Sequence, residues 1–175
     1  MLFRSIKILK VFLLCAFVGA TVHSTHAQSQ EKVYSALMLN FAKGIQWPAG
    51  DAGNFVIGIL EYPPLAAELN TVASSVRINA RKIQVKEFSH ADEIAKCHIL
   101  FIPAYKAKQL TAVLSKIGAD PTLIITNKMD LAKKGSGVNF VLVDGRLKYE
   151  INPKSIEKRG MKISSGVKNM GIIIE

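Results

Sequence analysis

The amino-acid sequence predicts an α/β fold with three layers, in which helices cover both faces of a mostly parallel sheet that ends in a C-terminal antiparallel hairpin. Three apolar runs indicate the parallel strands, at residues 55–60, 97–102 and 122–126. A run that is apolar on both faces needs cover on both faces, which favours a buried parallel strand. Each run is followed by a turn and a helix-like segment, and this alternation is typical of doubly wound domains.

The N-terminal stretch 1–27 has the three parts of a signal peptide. Its first part is basic and carries Arg4, Lys7 and Lys10. Residues 11–22 form an apolar segment that is too short to span a bilayer as a helix. Small residues occupy both positions that signal peptidase recognises before Gln28. We therefore expect export to the periplasm, cleavage after Ala27, and a single domain of residues 28–175 that does not span the membrane.

The net charge of the chain limits its partners. Lys and Arg number 23 against 13 Asp and Glu, which gives a formal net charge of +10. The signal peptide holds three of the basic residues, so the exported chain has 20 against 13, a charge of +7. In a cytosolic protein this excess would suggest nucleic acid. An exported protein meets no genome, so we expect no nucleic-acid partner and interpret the charge as solubility or as attraction to anionic partners or lipid headgroups.

Cys97 is the one cysteine that remains after cleavage. The exported chain therefore cannot form an internal disulfide, although export would permit one. At the start of a buried strand, a cysteine is expected to act as a small core residue.

The first helix is predicted from apolar residues that recur at every fourth position. They are Val33, Leu37, Phe41 and Ile45. Tyr34 and Met38 lie beside this stripe. Pro48 stops the helix, because proline has no backbone N–H to donate. Trp47, the only tryptophan, either packs the helix on the sheet or belongs to a binding surface.

Between the first two buried strands, a helix, a strand and a short helix are predicted. Residues 62–73 begin with two prolines, which suit the first turn of a helix. The segment Arg81–Phe88 alternates polar and apolar residues, as expected of a strand near a sheet edge. Ser89 is the predicted N-cap of a short helix at 91–95.

Four further helices are predicted in the second half of the chain, and the third of them starts at Pro153, carries Ile156 and ends near Gly160. The first covers residues 105–117, ends at Gly118 and has a buried face. That face carries Leu110, Leu114 and Ile117. A short helix is predicted at 129–132, and Ser164 or Ser165 caps a last amphipathic helix.

The antiparallel hairpin is predicted from a two-residue turn. Asp144-Gly145 separates two strand-like segments, Val138–Val143 and Arg146–Ile151. Asp-Gly between such segments is a strong hairpin signal, because its turn needs positive φ at both central positions.

No motif in the sequence predicts catalysis. Residues 127–130, Asn-Lys-Met-Asp, match the N-K-x-D signature of GTPases, but the phosphate loop G-x-x-x-x-G-K-[ST] is missing. There is no G-x-S-x-G for a hydrolase, and His90 and His98 have no further His or Cys at ligand spacing. We therefore expect no enzyme activity, no catalytic residue, no metal and no cofactor.

Three stretches resemble the YfiR/HmsC family of small exported bacterial proteins. They are YSALMLNFAK (34–43) followed by Trp47-Pro48 and FVIG (55–58), then CHILFI (97–102), then VNF (138–140), KYEIN (148–152) and GMKISS (160–165). The resemblance covers essentially the whole exported chain, and the combination in this order is specific.

The resemblance implies a periplasmic regulator without enzymatic activity. Characterised relatives repress a membrane-bound diguanylate cyclase by binding its periplasmic sensor domain, and thereby limit cyclic-di-GMP and biofilm formation. The expected partner is a membrane-anchored sensor protein of the diguanylate cyclase or histidine kinase type, and homodimer formation stays open. The alternative is a small-ligand-binding sensory module of the cell envelope, with its pocket at the carboxyl ends of the strands.

The predicted contact surface lies where the first helix ends. It consists of Phe41, Lys43, Trp47 and Pro48. A core position is the alternative for Phe41 and Trp47, and it is favoured more strongly for Phe41. Lys43 and the surrounding positive charge would steer an acidic partner, an effect that weakens with salt.

Overall fold

The structure is a computed structural model that describes residues 25–48 and 53–175, with side chains from Gln30 onward. Its helices are α1 Thr25–Gly44, α2 Pro63–Ala73, α3 Leu110–Ile117, α4 Pro153–Glu157 and α5 Ser165–Met170. Its strands are β1 Ile45–Gln46, β2 Phe55–Leu60, β3 Arg77–Ile78, β4 Arg81–Phe88, β5 Ile99–Ile102, β6 Leu123–Thr126, β7 Val138–Val143, β8 Arg146–Ile151, β9 Lys162–Ile163 and β10 Ile172–Ile173. The signal-peptide prediction falls mainly on residues 1–24, which lie outside the described residues.

Eight strands form one sheet in the order β10-β8-β7-β6-β5-β2-β4-β3. The five strands from β7 to β4 run parallel to one another. Strand β8 pairs antiparallel with β7 in the register Val143↔Arg146, which confirms the hairpin and its turn at Asp144-Gly145. Both turn residues have positive φ, 52° and 71°. A separate two-stranded antiparallel sheet joins β1 to β9.

Two hydrophobic clusters, one on each face of the sheet, confirm the three layers. Along β5, Phe101 belongs to the cluster under α1 and α2, whereas Leu100 belongs to the cluster under α3. Successive residues of a strand point to opposite faces, so a strand between two layers needs an apolar residue at every position. All four residues of β5 are fully buried, as the apolar run predicts.

The buried stripe of α1 differs from the predicted one. Val33 is 44% exposed, and the stripe instead runs through Tyr34, Met38 and Phe41. The Tyr34 ring stacks on Phe140, with ring centroids 4.5 Å apart. Aromatic stacking against the sheet rotates the helix toward Tyr34, and it brings Glu31 into the interior as well.

Three smaller predictions were wrong. Residues 129–132 form turns, because Asp130 has φ 66°, which no right-handed helix accommodates. Ser89 does not cap the 3₁₀ turn at Ala91–Glu93; its backbone N–H instead donates to Glu93 Oε2, 2.9 Å away. In α3, the buried positions are Leu110, Val113 and Ile117, while Leu114 is half-buried.

Other local predictions were confirmed at the ends of helices. Gly118 ends α3 with φ 57°, and α2 begins with its prolines in the first turn. The N-cap of α5 is Ser164, whose Oγ accepts from the N–H of Val167 at 3.4 Å. The predicted helix 105–117 starts as a 3₁₀ helix, Ala104–Gln109, before α3.

Candidate functional site

Trp47 is held in a defined position after the end of α1. The two residues before it form β1, which pairs with β9 in the register Gln46↔Lys162. The indole Nε1–H donates to the carbonyl oxygen of Ala42, 3.0 Å away, in the last turn of α1. A carbonyl at the end of a helix has no intrahelical partner, so this bond satisfies both groups. The Trp47 side chain is half-buried.

The indole packs on the amino ends of the parallel strands. Its ring meets Phe55 edge-on, with centroids 5.2 Å apart, and His98 edge-on at 5.7 Å. Phe55 and His98 stack on each other at 4.5 Å. Phe55 opens β2 and His98 immediately precedes β5, so the parallel pairing of these strands brings the two rings together. Edge-to-face contacts of this kind stabilise a fixed ring orientation.

Arg81 adds a positive charge to the same place. It opens β4, the other neighbour of β2. Its guanidinium carbon lies 5.1 Å from the centroid of the Phe55 ring, in cation–π range. Its Nη1 lies 3.0 Å from Nε2 of His98, whose Nδ1 accepts from the backbone N–H of Val56 at 3.0 Å.

We call Trp47, Phe55, Arg81 and His98 the Trp47 cluster. Sequence reasoning found only Trp47, because the other three come from strands that are far apart in the chain. From the sequence, His98 was a candidate only as a metal ligand, and that role was rejected because no further His or Cys stands at ligand spacing. The signal that could have found the cluster is positional: Phe55, Arg81 and His98 stand at or next to the starts of predicted strands, and the starts of parallel strands share one edge of the sheet.

The other predicted contact residues divide into exposed and buried positions. Lys43 and Pro48 are exposed beside the Trp47 cluster. A β-carbon added to Gly160 would lie 3.5 Å from Pro48 Cγ, so the loop after α4 borders the same surface. Phe41 is 1% exposed and meets Tyr149 edge-on at 4.9 Å. Its ring is part of the core, so a partner cannot touch it in this conformation.

At the carboxyl edge of the sheet, where a ligand pocket was the alternative expectation, the crevice between β2 and β5 is occupied by the protein's own side chains, and a pocket of about 260 Å³ lies farther along, beside the carboxyl ends of β6 and β7. The strand order reverses between β2 and β5, which is where open α/β sheets form their crevice. There the hydroxyl of Tyr62 donates to the buried Glu31 carboxylate, and that of Tyr105 donates to the Glu61 carbonyl. Lys106 forms an ion pair with Glu61. Burial, followed by the Glu31 carboxylate, raises the pKa of Tyr62, so its hydroxyl stays a donor.

The described residues offer no reactive constellation. Cys97 is 4% exposed, and burial raises the pKa of its thiol to about 12, so the thiolate form is not populated at neutral pH. The prediction of a small core residue is confirmed. Within residues 25–48 and 53–175, no three His, Cys, Asp or Glu side chains are grouped so that they could hold a metal ion. In the same part of the chain, no helix is long and apolar enough to cross a bilayer.

Comparisons with known proteins identify both the family and the fold. A family model described as YfiR/HmsC-like matches residues 31–171. No match was found among curated proteins. Among solved structures, the ABC domain in complex with L-Trp from Streptococcus pneumonia has a TM-score of 0.56 at 13% identity, with 82% of this chain and 60% of that chain covered. A conserved domain protein from Vibrio cholerae O1 biovar El Tor strain N16961 has a TM-score of 0.53 at 10% identity, with 83% and 60% covered.

The two solved structures show the fold alone, because their sequence identities are low. This chain spans about 60% of the length of each of them. The family match, by contrast, spans most of this chain and includes Trp47, Phe55, Arg81 and His98.

Proposed function

The chain belongs to the YfiR/HmsC-like family, and on this basis we propose that it is an exported periplasmic regulator that binds and represses a membrane-anchored sensor enzyme. The enzyme would be a diguanylate cyclase or a similar sensor protein, and repression would limit cyclic-di-GMP and biofilm formation. The protein itself performs no catalysis in this proposal. A periplasmic signal must cross the inner membrane through a protein that spans it, so direct contact with the sensor's periplasmic part is the simplest route.

The observation that carries the proposal is the half-buried Trp47, held by three contacts beside Lys43 and Pro48. Its Nε1–H donates to Ala42, and its ring rests on Phe55 and His98. A tryptophan that is fixed before binding loses little conformational entropy when a partner covers it. Tryptophan is also enriched among the residues that dominate interface energies.

The charge around this surface favours an acidic partner. Lys43 and Lys162 are exposed, and Arg81 is half-buried against Phe55 and His98. Positive charge at the rim of an interface speeds association with an acidic surface, and the effect falls as salt screens it. We expect the sensor's contact region to carry an excess of Asp and Glu.

The test is complementation of a deletion strain. Deleting the gene should raise cyclic-di-GMP, and expression of the wild-type protein should lower it again. Trp47→Ala should weaken binding to the sensor by about 1–2 kcal/mol, roughly 5–30-fold, and should fail to restore repression at equal periplasmic level. Leu142→Ala is the matched control, because Leu142 is a 74% exposed apolar side chain on the distant hairpin.

Two results would contradict the proposal. One is an unchanged cyclic-di-GMP level after deletion, together with turnover of a substrate by the purified protein. The other is full repression by Trp47→Ala, which would move the contact surface away from the Trp47 cluster.

A further inference from the structure

A pocket of about 330 Å³ lies between α3 and α4, at the edge of the sheet where the parallel strands begin. Gly118 and Ala119 before β6 and Gly135 before β7 are among its lining residues, so it lies near the starts of these two strands. Its lining residues are Leu114, Gly118, Ala119, Gly135, Ser155, Lys158 and Arg159. None of these described lining residues is acidic. The pocket shares no residue with the Trp47 cluster, so an inference about it is independent of the proposed function.

Arg159 is the unusual member of this pocket. Its side chain is only 8% exposed. Nη1 donates to the carbonyl oxygen of Ser155 at 2.7 Å and lies 3.4 Å from the Ser155 hydroxyl. Nε is buried and has no hydrogen-bond partner within residues 25–48 and 53–175. Among the residues that the structure describes, no carboxylate lies within ion-pair distance of the guanidinium.

A buried, unpaired guanidinium is expensive in free energy. Charged groups that leave water normally gain a counter-charge, and each buried N–H normally gains an acceptor. Burial lowers the pKa of Arg159, but arginine stays protonated at physiological pH, so the charge cannot be lost. An anion that enters the pocket would supply the acceptor and the counter-charge that the described residues do not provide for Arg159. Lys158 lines the same pocket and adds a second positive charge.

We propose that this pocket binds a small organic anion, whose carboxylate or phosphate group accepts hydrogen bonds from Arg159 and Lys158. The planar guanidinium fork matches both oxyanions, since it can donate two parallel bonds to two oxygens. The apolar part of the ligand lies against Leu114 and Ala119, at the mouth formed by Gly118. The volume is at the lower end of the range for small-molecule sites, which favours a small ligand.

The test uses the exported protein purified from the periplasm, with inorganic phosphate and 4-methylpentanoate as the two probes. Two-dimensional ¹H–¹⁵N NMR follows the Arg159 Nε–H and the Gly118 amide while each probe is titrated at constant ionic strength with chloride. We expect a saturable shift of the Arg159 signal with at least one probe, with a Kd of about 1 mM or tighter. Saturation by phosphate alone assigns a phosphorylated ligand, and saturation by 4-methylpentanoate alone assigns a carboxylate.

Variants then locate the site. Arg159→Met, which keeps the length of the side chain without its charge, should weaken binding about tenfold or more. Lys158→Met should weaken it by a smaller factor, and Lys158 is exposed, so this variant is expected to fold even if Arg159→Met does not. Arg146→Met, in the exposed turn of the hairpin, is the control and should bind as the wild type does.

Two outcomes would overturn the proposal. The first is the absence of a saturable shift with either probe in the wild-type protein. The second is unchanged affinity in both Lys158→Met and a folded Arg159→Met. Repression of the sensor by the wild-type protein is measured separately, so failure of the pocket proposal leaves the regulator proposal standing, and the reverse also holds.

Discussion

Phe101 lies at the centre of the larger core, and its removal should cost a large part of the stability of the fold. The side chain is fully buried in β5. Its ring centroid lies 5.8 Å from Tyr34, 6.0 Å from Tyr62 and 6.3 Å from Phe140. These three rings come from α1, the start of α2 and β7, so Phe101 joins three separate elements to the central strand.

The size of the loss in stability depends on how far the neighbouring side chains can move into the cavity that the substitution leaves. Phe→Ala in a core costs about 3–5 kcal/mol, and the upper end applies where neighbours cannot move into the cavity. The neighbours of Phe101 are anchored on different elements, and Tyr34 is further fixed by its stack on Phe140. We therefore expect Phe101→Ala to lower the free energy of unfolding by about 4 kcal/mol.

Urea denaturation of the exported protein measures this loss. With a slope of about 2 kcal/mol per molar urea, the midpoint should fall by about 2 M. Leu142→Ala, at a 74% exposed site, should change the stability by less than about 0.5 kcal/mol. A loss below about 1 kcal/mol for Phe101→Ala would refute the assignment of β5 as the strand between two packed layers.

Three further predictions concern local features. Gly145→Val should destabilise the protein by about 1–2 kcal/mol in the same assay, because Gly145 has φ 71° and the backbone of a valine is strained at this angle. Crowding is not the cause, since no atom lies within 4 Å of a β-carbon added at this position. Gly145→Asn should be tolerated, and equal losses of stability in the two variants would contradict the turn assignment. Tyr62→Phe should cost about 1–3 kcal/mol by leaving the buried Glu31 carboxylate without this donor. The pKa of Tyr62 is raised in the folded state, so the contribution of Tyr62 to the free energy of unfolding is complete below its unfolded pKa of about 10 and falls as the pH rises above that value. If the difference in stability between the wild type and Tyr62→Phe stayed constant as the pH rises through this range, the prediction would be contradicted. Finally, N-terminal sequencing of the exported protein should begin at Gln28, and a blocked, lipid-modified N-terminus would exclude cleavage after Ala27.

The sequence by itself determined the longer strands and the hairpin turn, because those features depend on local pattern, but it did not show the two-residue strands β1, β3, β9 and β10. The strand Phe55–Leu60 and both strands of the hairpin have the predicted bounds, and 97–102 and 122–126 were shortened only at their amino ends. A strand buried on both faces must be apolar throughout, and a two-residue turn needs residues that accept positive φ. Both conditions can be recognised from a few consecutive residues of the sequence.

Only the tertiary structure decided which faces meet and which charges are left without a partner. Periodicity showed that α1 is amphipathic, but the stack of Tyr34 on Phe140 set its rotation and exposed Val33. Strand register brought Arg81 and His98 to Trp47, although 17 residues separate the first two. No pattern in the sequence marks Arg159, and only its tertiary neighbours bury it without a carboxylate of the described residues in ion-pair distance. Contacts across such distances depend on the order and register of the strands, and no local window of the sequence contains that information.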